Sequence, residues 1–160
     1  MVMEKSEGCI FCKISSGTIP AFKIWENKAY FAILDIFPNI KGQTLVIPKK
    51  HLESYAFDLS DSDYDEFMHS VRTVVRLLEK GLKVKRVHLV LEGTGINHLH
   101  AKLYPAIGME SKDEILIAEQ KAHFDKYTGY VTTLMGERAD DKELEQLANE
   151  IRKTANAENK

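Results

Sequence analysis

Two periodicities divide the chain. Residues 22–26 and 29–34 are short apolar stretches of strand length flanking Asn27-Lys28, a pattern that predicts a hairpin. Residues 37–42 read as a loop, and Thr44–Pro48 as a buried strand stopped by its proline. Beyond Ser60, a candidate N-cap before Asp61 and Asp63, apolar residues recur at helical spacing: Phe67, Val71, Val74, Val75 and Leu78, with Gly81 as the stop. Residues 86–91 predict another strand, and residues 98–104 its antiparallel neighbour. Here Leu99, Ala101 and Leu103 alternate with His98, His100 and Lys102. Period two places the latter three on one strand face, roughly 7 Å from one to the next. In the last third, residues 112–124 predict a helix, residues 129–136 a strand bounded by glycines, and residues 140–153 a helix with Leu144, Leu147 and Ile151 inward. Residues 9–16 form a short turn or helix closed by Gly17 and Pro20.

Strands in series around one long helix imply an α+β fold with a mostly antiparallel sheet. Nothing in the sequence repeats or resembles a linker. The expectation is a single domain over residues 1–160, with a core from about 9 to 108 and a C-terminal strand and helix extension from about 109 to 153.

Composition narrows the function classes. The 160 residues are 44% hydrophobic and 29% charged, values of an ordinary globular domain. A formal net charge of -2 makes no case for bulk nucleic-acid or membrane-surface binding. No apolar run approaches a membrane span and the first residues lack an apolar signal core, so a cytoplasmic location is expected. In a reducing compartment Cys9 and Cys12 read as a metal half-site or redox pair before a disulfide.

Zinc wants four ligands, and His51 and His98 are the candidates to complete Cys9 and Cys12; the alternative is free thiols and a solvated His51. His69 and His123 read as surface or boundary residues, and His88 takes no role. A neutral imidazole at His100 can attack phosphorus and hold a covalent intermediate. The Gly93-Thr94-Gly95 loop offers backbone N–H groups to developing charge, or is simply a tight turn. Asp35, at a strand end, can accept a ribose's hydroxyls or cap its own turn. Lys102 is a phosphate ligand, or a side chain that runs past the strand to solvent.

At these residues the chain resembles the histidine triad (HIT) family of nucleotide hydrolases and transferases. The resemblance is carried by Cys9-Ile10-Phe11-Cys12-Lys13-Ile14, Leu34-Asp35-Ile36-Phe37-Pro38, Gly42-Gln43-Thr44-Leu45-Val46-Ile47-Pro48-Lys49-Lys50-His51 and His98-Leu99-His100, in the family's order. It implies that His100 is the nucleophile on the α-phosphate and that Cys9, Cys12, His51 and His98 hold a structural zinc. It implies further that Asp35 holds the ribose and that Ile14, Phe31 and Ile36 line the base pocket. A homodimer formed through the long helix and an adjacent strand is implied as well.

Three departures set the chain apart. The third motif position is Lys102 where the family has histidine or, in transferases, glutamine. Gln43 stands where relatives often have histidine. The loop before His98 is short, with Thr94 and Gly95 in place of the hydrolases' polar pair and Leu91 where many have asparagine. The expected function is a hydrolase acting on a dinucleoside polyphosphate or nucleoside phosphoramidate through a nucleotidyl-histidine. Alternatives are a nucleotidyltransferase or phosphorylase, and a nucleotide-binding protein without catalysis.

Overall fold

The computed structural model describes residues 8–116 and 138–156. Its elements run α1 (Ile10–Ser15), β1 (Lys23–Glu26), β2 (Tyr30–Leu34), β3 (Thr44–Pro48), a 3-10 turn (Ala56–Asp58), α2 (Asp61–Gly81), β4 (Val87–Val90), β5 (Ala101–Pro105) and α3 (Asp141–Asn156). The five strands form one antiparallel sheet in the order β1-β2-β3-β5-β4. The architecture is therefore α+β, as the periodicities predict.

Local chemistry sets the boundaries. Asn27 Oδ1 accepts the backbone N–H groups of Ala29 (2.9 Å) and Tyr30 (2.7 Å), which closes the β1–β2 turn with a side chain. Ser60 Oγ accepts the Asp63 N–H at 3.2 Å and caps α2. Asp140 Oδ1 does the same for α3, taking the N–H groups of Lys142 and Glu143.

The sheet is covered on both faces, which explains why every residue of β2 and β3 is buried. Tyr30, Ala32, Leu34, Val46, Leu99, Ala101 and Leu103 face α2 and α3, where Phe67, Val71, Val74, Leu78, Leu147 and Ile151 meet them. Phe31, Ile33, Leu45 and Ile47 face the other way and pack with Phe11 of α1. This second, thinner layer carries the site.

Two expectations need correction. The strand predicted over residues 98–104 joins the ladder only from Ala101, its β3 partner being Val46. The N–H groups of His98 and Leu99 turn instead to Ile96 O (2.8 Å) and Leu52 O (2.9 Å), and Pro48, at the end of β3, has no N–H to offer. The side chains nevertheless keep alternating, with Leu99, Ala101 and Leu103 in the main core. Residues 112–116 form turn and irregular backbone rather than the start of a helix, and Ile115 and Leu116 are exposed. The remainder of that predicted helix, and the predicted strand at 129–136, lie outside the described residues.

Candidate active site and metal centre

The N-terminal segment reaches the site because Phe11 inserts into the second layer, with its ring 5.6 Å from that of His98 and 5.2 Å from that of His100. This brings both cysteines to the histidines. Cys9 Sγ lies 3.3 Å from His98 Nδ1; Cys12 Sγ lies 3.6 Å from the same atom and 3.4 Å from His51 Nδ1. A tetrahedral ion with bonds of about 2.3 Å to sulfur and about 2.0–2.1 Å to nitrogen sets sulfur–nitrogen edges of about 3.6 Å. All four donor atoms fall within 4.8 Å of one another. His98 Nε2–H donates to Pro48 O at 3.0 Å, so Nδ1 keeps its lone pair for a metal. Burial holds the His98 imidazole down at about 4, so it stays neutral, as a ligand must. Burial, and then the neighbouring Cys9 sulfur, push the Cys12 thiol up to about 11. These four residues form a cluster able to bind a metal ion.

His100 stands one alternation further along the same face. Its Nδ1 lies 2.7 Å from His98 O and donates to it, leaving Nε2 as the basic nitrogen. His100 is 5% exposed, and burial holds its protonated form below the usual imidazole range. Lys102 pushes it further down, while Glu92 and Asp35 act in the opposite direction.

The imidazole borders a cavity of about 400 Å³, within the range of small-molecule sites. Ile10, Phe11, Ile14, Ile19 and Ile36 supply an apolar end, and Asp35, Gln43, His100 and Lys102 converge as its polar groups, with Gly95 beside them. Asp35 is preset: its Oδ1 accepts the Phe37 N–H at 2.8 Å and its Oδ2 the Gln43 amide at 2.7 Å. The Gln43 Oε1 in turn accepts the Asn39 N–H, so the residue that replaces the frequent histidine orients the carboxylate.

Two residues expected at the nucleotide do not border the cavity. Phe31 is 1% exposed and belongs to the core layer beneath it. Thr94 donates its hydroxyl to Glu92 Oε1 at 2.6 Å, so its side chain is committed to the loop. Lys102 does not run free to solvent: its Nζ sits 2.9 Å from Glu92 Oε2. Glu92 is the residue that sequence reading misses. It follows a strand as an ordinary loop acid, and only its nearly buried side chain, 4% exposed, gives it away. His69 and His88 are both exposed.

A sheet of this order positions two histidines near a CxxC helix, with a preset carboxylate across a cavity. A family model described as the HIT domain matches residues 16–105, and the chain belongs to that family. Protein hit of Bacillus subtilis is 34% identical over 130 residues, covering 78% of this chain and 87% of that protein. The adenosine 5'-monophosphoramidase HNT1 of Saccharomyces cerevisiae is 34% identical over 126 residues, covering 74% and 75%. The fold is also that of a hypothetical histidine triad nucleotide-binding protein from Sulfolobus tokodaii, with a TM-score of 0.70, 24% identity and 93% of each chain covered.

Proposed function

We propose that the protein is a hydrolase that cleaves nucleoside phosphates at the α-phosphorus. The observation that carries this reading is His100, buried, neutral and held by the His98 carbonyl, on the wall of a cavity shared with Asp35 and Lys102. Nε2 attacks phosphorus as the bond to the leaving group breaks; the leaving group takes that electron pair, and an amine also takes a proton from solvent water, which the later hydrolysis returns. Water then cleaves the phosphorus–nitrogen bond, releasing a nucleoside monophosphate and restoring the imidazole. Asp35 accepts the ribose hydroxyls, Ile14 and Ile36 contact the base, and Gly95 offers its N–H near the phosphate. A relative named as a monophosphoramidase supports a phosphoramidate as the first substrate to try.

The test is turnover of adenosine 5'-monophosphoramidate and of dinucleoside polyphosphates by the wild type and by His100→Asn. Loss of turnover with retained nucleotide binding is expected; full activity in the variant overturns the assignment. Phosphorolysis is distinguished by adding inorganic phosphate and looking for a nucleoside diphosphate.

Zinc at Cys9, Cys12, His51 and His98 belongs to the same reading. With four protein ligands no position is open to water, so the ion is structural and fixes the segment on which His100 stands. A homodimer completes it: β4 closes the sheet at one edge, with Leu89 38% exposed. Sedimentation giving twice the chain mass is the expected outcome.

A further inference from the structure

Among the described residues lining the cavity, Lys102 is the one cationic side chain, and Asp35 lines it as a carboxylate. Glu92 does not line the cavity. It stands behind Lys102, with Oε2 on the ammonium at 2.9 Å and Oε1 taking the Thr94 hydroxyl at 2.6 Å. Its side chain is 4% exposed and that of Lys102 18%, so water screens the pair poorly. The ammonium has three N–H donors, and one directed at Glu92 leaves two for a ligand. A phosphate arriving here meets an ion pair rather than a free cation. Lys102, Glu92 and Asp35 together carry a formal charge of about -1 at neutral pH.

We infer that Glu92 determines specificity by ligand charge: it offsets Lys102 so that the site accepts a monoanionic α-phosphate and disfavours the dianion of a nucleoside monophosphate. The inference rests on the nucleotide reading above and deepens it. The α-phosphorus of a phosphoramidate or an esterified nucleotide carries one negative charge; the monophosphate left by hydrolysis carries close to two. A site with full positive charge would hold its product most tightly. Glu92 prevents this while keeping Lys102 on the His100 face, where its remaining donors can meet the phosphate.

The test is calorimetric and needs no turnover. Adenosine, the 5'-methyl ester of AMP and AMP itself present charges of zero, one and about two at pH 8. Glu92→Gln keeps the shape and removes the charge. It is expected to leave adenosine affinity within about twofold and to tighten AMP about three- to thirtyfold, with the ester in between. Lys102→Gln, which removes the cation and keeps the Glu92 carboxylate, is expected to weaken the three ligands in the same charge order. The double variant has the net charge of the wild-type pair and returns the AMP-to-adenosine ratio close to the wild-type value. A packing role for Glu92 would shift all three ligands alike. An unchanged or reduced AMP-to-adenosine ratio in folded Glu92→Gln overturns the inference. If that variant does not fold, the double variant decides, since it buries no unpaired charge: a ratio as low as that of Lys102→Gln overturns it. Wild-type protein that binds no AMP overturns the nucleotide reading and the inference together, whereas AMP binding indifferent to Glu92 overturns the inference alone.

Discussion

Lys102 shows how a single side chain changes meaning between sequence and structure. As a phosphate ligand its loss removes transition-state stabilisation: Lys102→Met is expected to lower kcat/KM by one to three orders of magnitude, roughly 1.4–4 kcal/mol. The pair with Glu92 adds a second consequence. Methionine leaves a 4% exposed carboxylate without its cation, so the variant should also lose stability, on the order of 3–5 kcal/mol if the loop does not relax. Denaturant titration alongside the kinetics separates the two effects. Gly93 is the other decisive residue. Its φ is +69°, and an added Cβ would lie 2.7 Å from the Ser54 carbonyl oxygen. Gly93→Ala is thus both strained and blocked by backbone. It should cost more than about 1 kcal/mol and displace the Glu92–Asn97 loop, measured as a fall in both melting temperature and nucleotide affinity.

At the scale of elements, α3 is part of the core despite its distance along the chain. Leu144, Leu147, Ala148 and Ile151 are all buried and join the cluster built on α2 and the sheet. Gly81 permits the approach: a Cβ there would lie 3.2 Å from Ile151 Cα. The guanidinium of Arg152 bonds the Lys23 carbonyl of β1, so the helix is tied to the sheet edge as well. Ile151→Ala should therefore cost about 2–5 kcal/mol, and a chain ending at residue 138 should not fold cooperatively. Thermal unfolding of the first and the absence of a sigmoidal transition in the second are the checks. Destabilisation of Ile151→Ala by less than 1 kcal/mol would mean that α3 sits on the surface of the fold instead of within it.

For the whole molecule, the cysteine–histidine cluster ties the N-terminal segment to a stretch 89 positions away, so removing a bound ion should lower the melting temperature before it alters chemistry in the molecules that remain folded. Its pH dependence has a definite sign. His98 is held at about 4 in the fold, whereas in the unfolded chain it titrates near 6.5. Protons then bind the unfolded state preferentially, so this group's contribution is intact above about pH 6.5 and is lost progressively as pH falls toward 4. The Cys12 thiol, pushed up to about 11 without metal, must surrender its proton on binding. Zinc added to chelator-treated protein at pH 7 should therefore release protons, and apparent affinity should rise with pH; uptake with no proton release would contradict the site.

What the sequence determines by itself is what depends on near neighbours. The period-two and helical patterns, the Asn27 turn and the Ser60 cap act within a few residues, so each is legible without the rest of the fold. The alternation through His98, His100 and Lys102 is legible for the same reason, even though the ladder begins only at Ala101. The family motif adds expected roles that geometry alone leaves open. Only tertiary structure decides the remainder. Whether Phe31 lines the cavity or lies under it depends on where along β2 the α1 segment packs. Whether Glu92 is solvated or closes on Lys102 depends on how the loop folds over β5. Those outcomes follow from burial, which is a property of the closed chain: the desolvation that fixes a charge pair or neutralises a histidine exists only once distant segments have excluded water from it.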